Sequence, residues 1–265
     1  MDNTKELPIL LSLCSGYGGI ERGLELAGFK HRVIAHVEIE AFAIAHLVEK
    51  MEKGRLHPAP IWSNLKTLPL DCFRGRVDVL TGGYPCQPFS AAGQRKGKDD
   101  PRHLWPYIFD IIQAIRPIRC FFENVEGHVS LGLREVIEDL EILGYQTTWG
   151  IFSAAEVGAP HHRKRVFIMA DTSGKGLQRC GITRNISGKE SEPDDQFAPG
   201  CNSAQIGKWP PEPSVGRVVD GTPNRVDRIR LLGNGVVPQT AAKAWVTLQK
   251  QLEKAGRGNE PGRLE

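Results

Sequence analysis

Residues 8–38 restrict the architecture more than any other stretch. Pro8-Ile-Leu-Leu-Ser-Leu-Cys14 is an apolar run of the kind buried on both faces in a parallel sheet. The turn Ser15-Gly-Tyr-Gly-Gly19 follows, and Ile20, Leu24, Leu26 and Ala27 then recur with helical spacing up to Gly28. Arg32–Val37 is a second buried strand, ending in Glu38. Strand, glycine turn, helix and strand open a nucleotide-binding βαβ unit, in which glycines let the backbone approach a ligand at the helix N-terminus. Glu38 lies ~20 residues past the glycines, where a carboxylate can take both hydroxyls of an adenosine ribose. The glycines are not spaced G-x-G-x-x-G, so another adenosine-bearing ligand suits them better than a dinucleotide. A plain tight turn beside a surface Glu would give the same pattern.

A second strand-end loop carries a thiol. Val77, Val79 and Leu80 read as a buried strand ended by Gly82 and Gly83, followed by Tyr84-Pro-Cys86-Gln-Pro-Phe-Ser90. Pro85 and Pro88 fix φ and lack an N–H, which stiffens the loop around Cys86. A free cysteine serves equally as a small buried hydrophobe. Here the polar Gln87 and Ser90 and the basic run Gln94–Lys98 favour an exposed, working thiol. Gly93–His103 reads as a loop that can close over a ligand.

The remaining pattern alternates helix and strand. Helices are expected at 41–52, Leu104–Ile115 and 131–143, and a short strand or turn at Ile61–Leu65. Ile118–Phe122 is a buried strand ending in Glu123-Asn124-Val125. Gln146–Ala154 and Lys164–Ala170 read as an antiparallel pair closing the sheet edge. Between them, His161 and His162 have no carboxylate or cysteine at ligand spacing, so no metal is expected. Arg163 and Arg165 alternate along a strand and should share a face. Periodicity stops from Asp171 to about Val215, a Gly-, Ser-, Asn- and Pro-rich segment that reads as loop or linker. Arg217, Arg225, Arg228 and Arg230 form a basic cluster suited to phosphate. Leu231–Gln239 then opens a last helix, to about Leu252, before a charged tail.

Composition narrows the class. The 265 residues are 40% hydrophobic and 25% charged, as in a soluble globular chain with one sizeable core. A net charge of +3 says little about partners. The six cysteines show no CxxC pair, and no signal peptide or membrane-length apolar run is evident, so reduced thiols in the cytoplasm are expected.

Five of these segments, in this order, resemble the motifs of the DNA (cytosine-5) methyltransferases. They are the turn Cys14–Gly19, Pro85-Cys86-Gln87, Glu123-Asn124-Val125, His161-x-Arg163-x-Arg165 and Gly233-Asn234-Gly235-Val236-Val237-Pro238. The chain departs from the family pattern at Ser12 and Cys14, where an Asp and an adenine-packing Phe are usual. It departs again at Asn64 in place of an acidic residue, and at His161 in place of Gln.

The resemblance implies an α/β fold of the S-adenosylmethionine-dependent methyltransferase (Rossmann-like) type. Such a fold has a mixed sheet with helices on both faces, plus a small irregular target-recognition lobe. The implied division is a catalytic and cofactor-binding domain at 1–171, a short target-recognition segment at 172–215, and a C-terminal segment at 216–265 returning to the catalytic domain. S-adenosylmethionine would be held by Ser15, Gly16, Tyr17, Gly18, Gly19 and Ile20, by Glu38 and Ile39, by Asn64 and Leu65, and by Gly83, Leu104, Asn234 and Val236. Cys86, Glu123, Arg163 and Arg165 would be catalytic. Tyr84, Pro85, Gln87, Ser90 and Asn124 would meet the substrate.

The chemistry explains these residue types. Carbon 5 of cytosine is a poor nucleophile until a thiolate adds at carbon 6. Cys86 would supply that thiolate, Glu123 the proton shared with N3, and Arg163 a hydrogen bond to O2, while Arg165 holds Cys86 and Glu123. A paired base hides these atoms, so the cytosine must be flipped out. The partner implied is double-stranded DNA, met by a monomer. A cognate restriction endonuclease and an orphan role both stay open, the short 172–215 segment leaning toward the orphan. An RNA (tRNA) cytosine-5 methyltransferase of the same fold and a non-catalytic DNA-binding module are the alternative readings.

Overall fold

The computed structural model describes residues 7–85, 104–172 and 233–257. In chain order the strands are Ile9–Leu13 (β1), Arg32–Val37 (β2), Ile61–Trp62 (β3), Val79–Gly83 (β4), Arg119–Val125 (β5), Gln146–Ser153 (β6) and Lys164–Asp171 (β7). The helices are Gly19–Leu26 (α1), Ala41–Glu52 (α2), Trp105–Ile115 (α3), His128–Leu131 (α4), Leu133–Ile142 (α5) and Pro238–Arg257 (α6). The strands make one mixed sheet in the order β3-β2-β1-β4-β5-β7-β6. The first five positions are parallel, and β7 runs antiparallel to both β5 and β6.

Alternation along each strand sends side chains to two cores. Leu11, Leu13, Leu80, Phe122 and Ile168 meet Ile108, Ile112, Val136 and Leu140 of α3 and α5. On the other face, Leu10, Val79, Phe121 and Phe167 meet Leu24 of α1 and Trp245 and Leu248 of α6. Each such buried side chain contributes roughly 1.5–3 kcal/mol. Helices on both faces of a mostly parallel sheet match the architecture expected from the sequence.

α1 and α6 cross closely because Gly23 has no side chain. A Cβ there would stand 2.6 Å from the Ala241 Cβ and 2.7 Å from the Pro238 carbonyl oxygen. This contact carries the chain's C-terminal part back onto the first glycine turn.

Two details differ from the periodicity reading. The helix expected at 131–143 starts at His128 and is interrupted at Gly132, so it becomes α4 and α5. β7 inserts between β5 and β6, which places the arginine segment beside β5. Of the segment 172–215, expected to recognise the target, all but Thr172 lies outside the described residues, as do Arg217, Arg225, Arg228 and Arg230.

Candidate active site

In open α/β sheets ligands bind beyond the carboxyl ends of the strands, where the order reverses. Here the chain runs outward from β1 through β2 to β3 and resumes on the other side with β4. At that point a cavity of about 780 Å³ opens over the ends of β1, β2, β4 and β5. Ser15, Gly16, Tyr17, Gly19, Ile20, Glu38, Ile39, Asn64, Leu65, Gly83, Leu104, Asn234 and Val236, all expected at a cofactor, line it. Gly18 does not. It lies at φ 77° before α1, a left-handed conformation that glycine adopts freely.

Glu38 is held by backbone amides. Gly16 N–H donates to one carboxylate oxygen (2.7 Å), and Ile39 and Glu40 N–H donate to the other (2.8 and 2.9 Å). A carboxylate has about four acceptor positions, so capacity remains toward the cavity. Ile39 is 71% exposed on the cavity wall. Leu65, Leu104 and Phe42 also line it. The Asn64 side-chain oxygen accepts from Lys66 N–H (3.0 Å), capping the turn at Leu65–Thr67. Cys14 sits at the cavity's inner edge with its thiol pushed up to about 12 by burial and then by Glu38, so it is inert.

At the opposite end Glu123 lies near the carboxyl end of β5. Its register partner is Gly83, where an added Cβ would stand 3.3 Å from a Glu123 carboxylate oxygen, so a side chain there would crowd the acid. Arg165 Nε lies 2.8 Å from Glu123 Oε1, an ion pair with both partners largely buried. Burial raises the Glu123 carboxyl to about 7, and Arg165 and then Arg163 oppose that rise without reversing it. A carboxyl poised near neutrality can give a proton and take it back.

Arg163 precedes β7, so strand alternation does not govern it, and the two guanidiniums diverge. Arg163 Nη2 donates to the carbonyls of Gly233 and Gly235, both at 2.6 Å. Tyr17 O–H donates to the Val236 carbonyl, a second tie to the same loop. Arg165 lines the cavity and Arg163 does not.

Tyr84 and Pro85 line the cavity, yet the Tyr84 side chain is 4% exposed and turned into the core. Its ring packs against Trp105, Phe122 and His128, and its hydroxyl lies 3.0 Å from His128 Nε2. Asn124 Nδ2 donates to the Tyr84 carbonyl (3.2 Å), binding the end of β5 to the stem of the next loop. Cys86, Gln87 and Ser90 lie outside the described residues. Phe42 and Lys66 were not expected at the cavity. The signal was available for Phe42, an aromatic in the first turn of the helix after Glu38. Among the described residues, no group of three or more His, Cys, Asp and Glu could hold a metal ion.

The profile of the C-5 cytosine-specific DNA methylase family matches residues 9–214. The chain is 35% identical over 168 residues to the type II methyltransferase M.NgoMIV of Neisseria gonorrhoeae, covering 60% of this chain and 50% of that one. It is 32% identical over 166 residues to the type II methyltransferase M.NaeI of Lentzea aerocolonigenes, covering 61% and 39%. The chain therefore spans half or less of these relatives' length. Among solved structures, the S. pombe Dnmt2 methyltransferase superposes with a TM-score of 0.53 at 22% identity, over 76% of this chain and 66% of that one. Spodoptera frugiperda DNMT2 gives 0.53 at 23%, over 65% and 53%. These last two show a shared fold.

Proposed function

Because the chain belongs to the C-5 cytosine-specific DNA methylase family, we propose that it methylates carbon 5 of cytosine in double-stranded DNA, with Cys86 as the covalent nucleophile. The observation that carries this reading is Glu123, a buried carboxyl raised to about 7 and paired with Arg165 at the wall of the cavity.

The cavity's other end suits S-adenosylmethionine. Glu38 has spare acceptor capacity for ribose hydroxyls, and Ile39, Leu65 and Leu104 supply apolar walls for a planar base. When bound, that group supplies an electrophilic methyl on a sulfonium sulfur.

The Cys86 thiolate adds to cytosine C6, forming an S–C bond and pushing an electron pair through the ring. Glu123 supplies the proton that N3 takes up, so the ring carries no net negative charge. Carbon 5 thereby becomes nucleophilic and takes the methyl group, whose bond to the sulfonium sulfur breaks to leave a neutral thioether. Loss of the C5 proton to a base, with water as a candidate, and return of the N3 proton to Glu123 restore the C5–C6 double bond and expel the Cys86 thiolate. Arg165, paired with Glu123 and itself lining the cavity, is the better-situated donor for O2. Arg163 instead positions the 233–236 loop over the first glycine turn. The target must leave the duplex for C6 and N3 to be reached.

Incubation with methyl-labelled S-adenosylmethionine and either unmethylated genomic DNA or bulk tRNA tests the reading. Label in DNA that disappears in Cys86→Ala is the expected result. Label in tRNA alone would assign the RNA substrate instead, and label retained by Cys86→Ala would remove the nucleophile.

A further inference from the structure

Beneath the first glycine turn the core facing α1 changes from apolar to polar. Ser12 on β1 is in register with His36 on β2 and Thr81 on β4, so the three side chains form a row across the strand ends. Ser15 covers the row from the turn and Glu21 from the first turn of α1. Ser12, His36, Thr81 and Glu21 are each at most 1% exposed.

Most of this row is hydrogen-bonded. The Ser12 and Ser15 hydroxyls lie 2.7 Å apart, and His36 Nδ1 lies 3.2 Å from Ser15 Oγ. Thr81 O–H donates to Glu21 Oε1 (2.8 Å). Glu21 Oε2 and His36 Nε2 are buried with no hydrogen-bond partner among the described residues. Leaving a carboxylate oxygen and an imidazole nitrogen unsatisfied costs on the order of 1–3 kcal/mol each, and internal water commonly relieves such pairs. Glu21 Oε2 points beneath the turn, 3.9 Å from where a Gly18 Cβ would stand. Lys50 is under the same turn, donating to the Tyr17 carbonyl (2.7 Å), and feels the Glu21 charge.

We propose that Glu21 is a positioning residue for the cofactor turn. One carboxylate oxygen holds Thr81, and the other holds the Nε2–H of His36 through one internal water. The hydrogen bonds then run in one direction. Ser12 O–H donates to Ser15, Ser15 O–H to His36 Nδ1, and His36 Nε2–H through water to Glu21, which also accepts from Thr81. The opposite direction, with Ser15 donating to the Ser12 carbonyl (3.1 Å) and His36 Nδ1–H donating to Ser15, would turn a bare Nε2 toward a carboxylate. The bridging water could serve either tautomer, but the carboxylate's negative charge favours the ring whose N–H end is directed toward it, so Glu21 selects the Nε2–H tautomer. The chain joins the turn whose Gly16 N–H holds Glu38 to the strand that leads to Pro85 and Cys86. It therefore fixes the cofactor turn against β4.

This inference rests on the cofactor reading above, and the test separates the two. In protein labelled with ¹⁵N-histidine, with His36 assigned by its loss in His36→Gln, the His36 ring is expected as the Nε2–H tautomer. Glu21→Gln, whose amide can donate, should move the ring toward Nδ1–H. Glu21→Gln and Thr81→Val should each weaken S-adenosylmethionine binding about tenfold with kcat within about threefold of wild type, and Thr81→Ser should restore binding. A purely structural role would lower thermal stability without this split between binding and turnover. A wild-type ring in the Nδ1–H form, or unchanged tautomer and affinity in Glu21→Gln, overturns the inference alone. A wild-type protein that does not bind S-adenosylmethionine overturns the functional reading with it.

Discussion

Glu123 gives the pH dependence of stability a definite sign and size. Its carboxyl rises from an ordinary 4.5 to about 7 in the fold, chiefly through burial. A carboxyl raised on folding favours the native state while protonated, so its contribution is full below 4.5 and is lost as pH rises through 7. At 1.36 kcal/mol per pH unit, the whole contribution is about 3 kcal/mol, most of which disappears between pH 5 and pH 8. Glu123→Gln keeps the shape and removes the titration. Urea unfolding of both proteins across that range, extrapolated to water at each pH, reads the difference directly. Wild type should lose about 2–3 kcal/mol relative to the variant as pH rises from 5 to 8. Curves that stay parallel would refute the claim that burial outweighs Arg165 at this carboxyl. A difference growing with pH in wild type's favour would show the ion pair dominating instead.

Arg163→Met removes two donors from the Gly233 and Gly235 carbonyls. It should weaken S-adenosylmethionine binding by about tenfold, near the 1–2 kcal/mol of a lost charged hydrogen bond, by isothermal titration. Arg165→Met, which strips Glu123 of its ion pair, should instead lower kcat at neutral pH and leave that affinity close to wild type. Gly23→Ala forces a Cβ against Ala241 and Pro238 and should cost about 1–3 kcal/mol in thermal unfolding; an unchanged midpoint would show that α1 and α6 have room to part.

Much of this architecture could be read before any coordinates. α2 occupies residues 41–52 as its periodicity required, because Ala43 and Leu47 face inward one turn apart. β1 and β2 follow from apolar runs that only a doubly covered sheet can bury. Long-range partners were not legible. Nothing local to Arg163 says that its guanidinium closes on carbonyls 70 residues away, and alternation along a strand placed it on one face with Arg165. Tyr84, which the resemblance placed at the substrate, lines the cavity, while strand alternation sends its ring to the core beside Phe122. Gly132 interrupts a run whose apolar spacing alone looked continuous. The polar row of Ser12, His36 and Thr81 was hidden for the same reason. Each residue is an isolated polar position within an apolar stretch, and only the register of three strands makes them neighbours.

The central claim is that Cys86 forms a covalent bond to cytosine carbon 6 while Glu123 protonates N3. The most direct measurement traps that bond. Duplexes carrying 5-fluorocytosine at every cytosine accept the thiolate and the methyl group, but cannot lose fluorine as the C5 proton is lost. With S-adenosylmethionine present, wild type should form a protein–DNA adduct stable to denaturing electrophoresis, with the crosslinked peptide mapping to Cys86. Cys86→Ala should form none, and Glu123→Gln should form it on the order of 10²-fold more slowly. Methyl transfer to ordinary DNA without any such adduct, or an adduct that persists in Cys86→Ala, would contradict the account.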